Sequence, residues 1–285
     1  MDKSPGLFVV ATPIGNLGDM TFRAVDVLKA ADVIYCEDTR QTARLATHFE
    51  FTTPREAYHD HNGARVRPAI LERLAAGQMV ALVSDAGTPL ISDPGFKLVR
   101  AAREAGHAVV PVPGACAAVT GLSAAGLPSD QFFFAGFVPP KAGARQKALT
   151  ALSAVPGTLV FYETAPRAAS TLRAMAEVLG PREAVVAREL TKRFEDMLTG
   201  NTAHLADRLA AHPVKGELVI LLGPAPEAAA DAQAIDAFLH SALAEHSVKE
   251  AARLTADAFG ISRQQAYQRA LVLRTGMKTG DNHAR

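Results

Sequence analysis

The feature that most constrains this chain is the order of its short apolar runs. In the first half each run is followed by a loop of small residues and then by a helix-like stretch. Residues 7–11 run apolar and stop at Thr12-Pro13; residues 33–35 form the next run. Residues 79–83 stop at Ser84-Asp-Ala-Gly87, and residues 109–112 lead into Pro113-Gly-Ala-Cys-Ala117. Between them, Thr21 is placed to cap a helix with Phe22, Val25 and Leu28 as its apolar face. Asp93 is expected as a second cap, with Pro94 in the first helical position and Gly106 past the helix end. Strand–helix alternation of this kind predicts a mostly parallel sheet covered by helices.

The second half, from about residues 121–129, repeats the scheme less regularly. Residues 132–136, 158–162, 184–187 and 218–222 are strand candidates. A Pro/Ala stretch over residues 224–230 reads as a linker. Beyond Asp231 two capping-box patterns, Ser247-Val-Lys-Glu250 and Ser262-Arg-Gln-Gln265, each open a helix, with Gly260 between them. The expected division is an α/β unit over residues 1–120, a second α/β unit over 121–224, and a three-helix tail over 231–278 that resembles a helix-turn-helix. That tail reads equally as a bundle that stabilises the body or as an RNA contact.

Composition limits the function. At 285 residues and 48% hydrophobic content, the chain can bury more than one core. Lys+Arg number 30 against 29 Asp+Glu, a formal net charge of +1, so any nucleic-acid binding must use local patches. Cys36 and Cys116 form no CxxC pair, which disfavours a zinc site or a disulfide scaffold. Neither a signal-type start nor a bilayer-length apolar run is visible, and the expected location is cytoplasmic, with no membrane partner. P-loop, GxGxxG, HExxH and GxSxG signatures are missing.

What remains is three unusual loops at strand ends: residues 11–16, residues 84–89 with 91–95, and residues 113–117. Ligands in open α/β sheets bind beyond the carboxyl ends of strands. Small residues let the backbone approach a ligand, and exposed amides can hold a carboxylate. One such loop alone reads as an ordinary tight turn. Three after successive strands point to a small-molecule site.

The longer motifs carry a resemblance. Val9-Val-Ala-Thr-Pro-Ile-Gly-Asn16, Glu37-Asp-Thr-Arg40, Tyr58-His-Asp-His-Asn62 and Leu82-Val-Ser-Asp-Ala-Gly-Thr-Pro89 resemble the ribosomal RNA small-subunit methyltransferase I family. So do Gly126-Leu-Pro-Ser-Asp130, Phe161-Tyr-Glu163 and Ala187-Arg-Glu-Leu-Thr-Lys192. The resemblance implies a tetrapyrrole-methylase-like fold, two α/β domains with the methyl donor in the cleft between them. It implies a cytidine 2′-O-methyltransferase that uses S-adenosylmethionine without metal. The implied substrate is 16S rRNA at the decoding centre of the small ribosomal subunit, and the implied assembly is a homodimer. With the three loops, it places the donor against Pro13, Gly15, Asp85, Ala86, Gly87, Ile91, Ser92, Ala115, Cys116, Tyr162 and Leu190. Two segments depart from the family pattern. Tyr162-Glu-Thr-Ala-Pro-Arg167 stands where Tyr-Glu-Ser-Pro-His-Arg is usual, and Pro113-Gly-Ala-Cys116 replaces Pro-Gly-Pro-Ser.

Methyl transfer from a sulfonium is an in-line displacement, in which alignment alone can supply roughly 7–11 kcal/mol. A base, or a cation facing the developing oxyanion, would assist a weakly acidic hydroxyl. Glu37, Asp38, Arg40 and Lys192 are the catalytic candidates. The first three read as a carboxylate base or ribose clamp with Arg40 on a phosphate, or else as a helix start with Asp38 as cap and Arg40 paired to an acid; Lys192 reads alternatively as part of a surface salt bridge. His59 and His61, which share a face if the segment is extended, are candidates for RNA contact. So are Lys141, Arg145 and Lys147, which lie in an acid-free stretch from Gln131 to Tyr162; a solvated helix face is the alternative. Two rival functions remain at this stage: a methyltransferase of the same superfamily acting on a tetrapyrrole or a protein, and a non-catalytic RNA-binding module.

Overall fold

The computed structural model describes residues 3–225 and 232–280, and the side chains of all of these except 232, 233 and 275–280. The chain divides between Pro224 and Ala225 into two compact units. The larger unit contains two five-stranded sheets.

The first sheet uses β1 (Gly6–Val10), β2 (Val33–Cys36), β3 (Arg55–Ala57), β4 (Met79–Val83) and β5 (Val109–Val112) in the order β3-β2-β4-β1-β5. All of its pairings are parallel. The crossovers are α1 (Phe22–Ala30), α2 (Thr39–Phe49), α3 (Gly63–Ala75) and α4 (Phe96–Glu104). Strand side chains alternate between faces, so each face builds its own core. Phe8, Val10 and Ile34 pack with Val27 and Leu28 of α1 and Leu45 of α2. Leu7, Val33 and Tyr35 pack with Ile70 of α3 and Leu98 of α4. Central β4 is buried at every position, as its unbroken apolar run requires.

The second sheet uses β6 (Phe132–Phe137), β7 (Thr158–Thr164), β8 (Glu183–Arg188), β9 (Asp196–Asn201) and β10 (Glu217–Leu222) in the order β6-β7-β10-β8-β9. β6 and β7 are parallel, and the other pairs are antiparallel. Its helices are α5 (Ala117–Ala124), α6 (Ala142–Ala151), α7 (Ala165–Leu179) and α8 (Thr202–Ala211). One face is covered by α7 and α8 through Leu172, Met175, Leu205 and Leu209. The other receives Ala118 and Leu122 of α5, together with Ile14 from the loop after β1. That packing brings the carboxyl-end loops of the first sheet against the second.

The strand–helix alternation expected from the sequence is present, with two corrections in detail. Thr21 does cap α1, accepting the Ala24 N–H, but the buried face is Ala24, Val27 and Leu28. Phe22 is 93% exposed, because two residues along a helix turn a side chain nearly to the opposite face from Ala24. Asp93 does not cap α4. The cap position is Gly95 at φ 137°, so Pro94 lies outside the helix and Asp93 is left in the preceding loop.

The smaller unit contains α9 (Ala232–Glu245), α10 (Val248–Phe259) and α11 (Arg263–Gly280). Both capping boxes hold a cap. Ser247 accepts the Glu250 N–H, and Ser262 and Gln265 bond each other's backbone N–H reciprocally. Gly260 ends α10 at φ 66°. Ile235, Leu239, Ala251 and Ala270 form its core. The linker expected at residues 224–230 lies outside the described residues from position 226 on. Among the described residues, no helix is long and apolar enough to cross a membrane.

Candidate active site

Parallel strands deliver their carboxyl-end loops to one edge, and here those loops are tied to each other. Thr12 and Gly87 exchange backbone hydrogen bonds of 2.9 and 3.0 Å, joining the loops after β1 and β4. The Thr12 hydroxyl donates to the Ser84 carbonyl at 3.2 Å. The Thr88 hydroxyl donates to the Ala115 carbonyl at 3.0 Å, joining the loop after β5. A Cβ at Gly114 would stand 2.9 Å from that of Ala11, so glycine permits this close approach.

The loops form one wall of a cleft of about 330 Å³, at the lower end of the range for small-molecule sites. On this side are Asp85, Ala86, Gly87, Ile91, Ser92 and Asp93; the second sheet supplies Tyr162, Ala187, Glu189, Leu190, Lys192 and Glu217 opposite. Ile14 and Ala117 also line it. Among the described residues, five non-glycine residues have positive φ, and four flank this cleft: Leu90 (74°), Ser92 (66°), Glu189 (49°) and Thr191 (66°). Such conformations cost about 1–3 kcal/mol each and cluster at functional sites.

The two walls differ in charge. On the second-sheet wall Lys192 Nζ donates to Glu189 Oε1 at 3.0 Å and to Glu217 Oε2 at 2.8 Å. Burial opposes the ammonium, but the hydrogen bonds it donates to Glu217 and Glu189 raise its pKa overall, so it stays charged at neutral pH. The Glu217 N–H and then Lys192 lower the Glu189 carboxyl. Behind them, buried Glu163 accepts from the Thr164 N–H at 2.8 Å and the Thr171 hydroxyl at 2.7 Å, and pairs with Arg167 at 3.2 Å. The Tyr162 hydroxyl accepts the Ala118 N–H at 3.1 Å, and its ring packs edge-on to Phe134 and Phe137.

On the first-sheet wall Glu37, Asp85 and Asp93 form no salt bridge among the described residues. Burial raises Glu37, with Asp85 and Asp60 adding repulsion and His59 opposing it. Burial, then Glu37, push Asp93 up to about 6, against the opposing effect of the neighbouring Ser84 side chain. Asp85 accepts the Asp38 N–H at 2.9 Å, which fastens the loop after β4 to the start of α2.

Comparison with known proteins assigns this architecture to a family. Residues 6–206 match the Tetrapyrrole (Corrin/Porphyrin) Methylases, and residues 228–274 match the RsmI C-terminal HTH domain. The chain is 48% identical over 279 residues to ribosomal RNA small subunit methyltransferase I of Mesorhizobium japonicum, covering 97% of this chain and 95% of that one. The protein of the same name from Pseudomonas aeruginosa is 47% identical, covering 93% and 96%. This chain belongs to the ribosomal RNA small subunit methyltransferase I family. Solved structures share the wider fold. Uroporphyrin-III C-methyl transferase from Thermus thermophilus, complexed with S-adenyl homocysteine, aligns with a TM-score of 0.54 at 20% identity, over 76% of this chain and 97% of that one. Diphthine synthase aligns at 0.60 and 15%, over 76% and 89%.

In this member of the methyltransferase I family, the residues singled out from sequence fall into three groups. Asp85, Ala86, Gly87, Ile91, Ser92, Tyr162, Leu190 and Lys192 line the cleft. Others stand behind the lining. A Cβ on Gly15 would collide with Lys192 Cγ, so Gly15 lets the loop after β1 back that side chain. Ala115 carries the carbonyl bound by Thr88, Cys116 Sγ lies 4.0 Å from the Tyr162 hydroxyl, and Pro13 sits in the first loop without lining the cleft. The third group lies away from the lining. Asp38 caps α2 and binds Arg40 through both oxygens, which takes its carboxyl down to about 2, while the Arg40 side chain is 88% exposed. Of the two readings open for this pair, the local cap is the arrangement present. Glu37 is one shell back, beside Asp85 and Asp93. His59 and His61 lie in a turn closed by Asn62, not in an extended segment, with ring centroids 5.9 Å apart. Lys141 is the N-cap residue of α6, Lys147 is exposed, and Arg145 is half-buried with its Nε unpartnered.

Sequence reasoning missed Asp93 and Glu217 as cleft residues. Asp93 stood inside a quoted loop motif but was given a capping role. Glu217 opens β10 just ahead of its apolar run, where an acid is unremarkable.

Proposed function

We propose that this protein transfers the methyl group of S-adenosylmethionine to the ribose 2′-oxygen of a cytidine in 16S rRNA, at the decoding centre of the small ribosomal subunit. It acts in the cytoplasm, as a homodimer and without metal. Residues 1–120 and 121–224 each supply one wall of the donor site, and residues 231–278 form an accessory unit. The observation that carries this reading is the cleft itself, with a small-residue wall facing a fixed ammonium, in a chain whose relatives bear the methyltransferase name.

The residues present fit the donor. Ala86, Gly87, Ala117 and Ala187 leave room at the lining, and a Cβ on Gly87 would stand 3.3 Å from Ile14 Cγ2 in a backbone conformation that side chains rarely adopt. Thr191 Oγ1 is buried beside the cleft residues with no hydrogen-bond partner among the described residues. Asp85 and Asp93 offer negative charge to a cation. When bound, the donor supplies an electrophilic methyl group on a positive sulfur.

The chain's own residues do the remainder. The strained backbones at Leu90, Ser92, Glu189 and Thr191 hold both walls in position, which favours alignment. Lys192, charged and held by two carboxylates, stabilises negative charge developing on the attacking oxygen. His59, His61, Lys141, Arg145 and Lys147 grip RNA phosphates, as local patches must in a protein of net charge +1.

The test is incubation of the protein with methyl-labelled donor and small ribosomal subunits, followed by nucleoside analysis. The expected product is a cytidine whose label stays on the ribose after the base is released, formed equally with a chelator present. Label on the base, or transfer to a porphyrinoid or protein in place of RNA, overturns the reading.

A further inference from the structure

Five carboxylates line the cleft: Asp85, Asp93, Glu163, Glu189 and Glu217. Four are committed to other partners. Asp85 accepts the Asp38 N–H at 2.9 Å. Glu163 is held by Thr164, Thr171 and Arg167. Glu189 and Glu217 share Lys192 at 3.0 and 2.8 Å. Asp93, among the described residues, is in no salt bridge and accepts no backbone N–H, and the Ser84 side chain lies beside it.

The backbone fixes Asp93 in this position. Leu90 and Ser92 precede it at φ 74° and 66°, and Gly95 follows at φ 137°. A Cβ on Gly95 would stand 2.8 Å from Leu90 Cδ1 and 3.0 Å from Leu82 Cδ2, so the turn closes only with glycine there. A loop built this tightly, between a central strand and a helix, positions a side chain rather than merely connecting two elements.

We propose that Asp93 is the proton acceptor for the attacking hydroxyl. The inference rests on the reaction proposed above. As the new O–C bond forms, the hydroxyl proton passes to an Asp93 carboxylate oxygen. The methyl–sulfur bond breaks with its electron pair going to sulfur, which becomes a neutral thioether. Asp93 then releases the proton to solvent.

The groups facing Asp93 suit the role. Glu37 from the end of β2 and Asp85 from the end of β4 repel its charge, the Ser84 side chain lies beside it, and the Tyr162 phenol approaches from β7. Lys192 lines the opposite wall but is held by its two glutamates. Burial and then Glu37 bring the Asp93 carboxyl to about 6, near where a general base at neutral pH works best. It is ionised above that value, so activity rises as pH increases through it. Glu37 thereby acts as a positioning residue, through Asp93.

The experiment is a pH series of single-turnover methylation of small ribosomal subunits by the full-length protein, with donor affinity measured alongside by calorimetry. Asp93→Asn is expected to lower the rate by about 10²-fold or more while donor affinity holds. Asp93→Glu restores part of the rate, and Glu37→Gln moves the acidic limb of the profile to lower pH. A near-normal Asp93→Asn rate overturns the proposal. So does loss of donor binding that accounts for the whole rate loss, or an acidic limb unmoved in Glu37→Gln. The wild-type arm tests the underlying reaction separately. If the wild type forms no ribose-methylated cytidine, that reading falls and this one with it. If it does while Asp93→Asn matches it, only the role of Asp93 falls.

Discussion

The two walls of the cleft hold similar residue types in opposite electrostatic conditions. On the second-sheet wall every acid has a partner: Glu189 and Glu217 share Lys192, and Glu163 pairs with Arg167. On the first-sheet wall Glu37, Asp85 and Asp93 lie within reach of one another and form no salt bridge among the described residues, and burial raises the first and last. An opposite charge beside a carboxyl favours its ionised form, whereas burial and like charges favour the protonated one. The comparison teaches a division of labour: one wall fixes charge and geometry, and the other is poised to move a proton.

The largest expected effect breaks the fixed wall. Lys192→Met removes the ammonium and leaves Glu189 and Glu217 repelling each other. Single-turnover methylation should fall about 10²–10³-fold, the scale for loss of an oxyanion stabiliser. Donor affinity, read by calorimetry, should change far less. The next effect is steric. Gly87→Val places a branched side chain at φ 82°, against Ile14 and the Ala115 carbonyl, and should abolish measurable donor binding while the protein stays folded by circular dichroism. Unchanged donor affinity would remove the cleft as the donor site.

A smaller effect concerns RNA alone. Reversing Lys141, Arg145 and Lys147 to Glu should weaken RNA binding and flatten its salt dependence while sparing donor binding, because each phosphate contact contributes about 0.7–0.9 to the salt slope. The smallest expected effect contrasts a cap with the cleft. Ser262→Ala should cost about 0.5–2 kcal/mol in the C-terminal helical unit, read as a shift in that unit's unfolding, with donor binding intact.

Much of the fold was legible because hydrophobic periodicity reports buried strands directly. β1, β2, β4 and β5 of the first sheet are apolar runs, and the loops after three of them are the small-residue motifs. β3 and β9 escaped because they are polar edge strands, Arg55-Glu-Ala57 and Asp196–Asn201, with little apolar pattern to betray them. Phe22 was misplaced because its aromatic character outweighed its helical phase.

The site was legible where chemistry depends on local backbone. Gly15, Gly87 and the residues around them announce close approach by their size. It was less legible where the role depends on a partner distant in sequence. Asp93 has a capping residue's sequence context, and only the positive φ at Gly95 turns it away from the helix. Lys192 gave no sign of Glu217, 25 residues away, which shares its charge with Glu189. Asp38 and Arg40 looked like a ribose-and-phosphate grip, yet they bind each other.

The most direct test of the central claim is nucleoside mass spectrometry of 16S rRNA from cells lacking this gene, complemented with the wild type or with Lys192→Met. The account predicts that one cytidine loses a ribose methyl group, that the wild type restores it, and that Lys192→Met at equal abundance does not. An unchanged methylation pattern in the deletion strain, or full restoration by Lys192→Met, would contradict it.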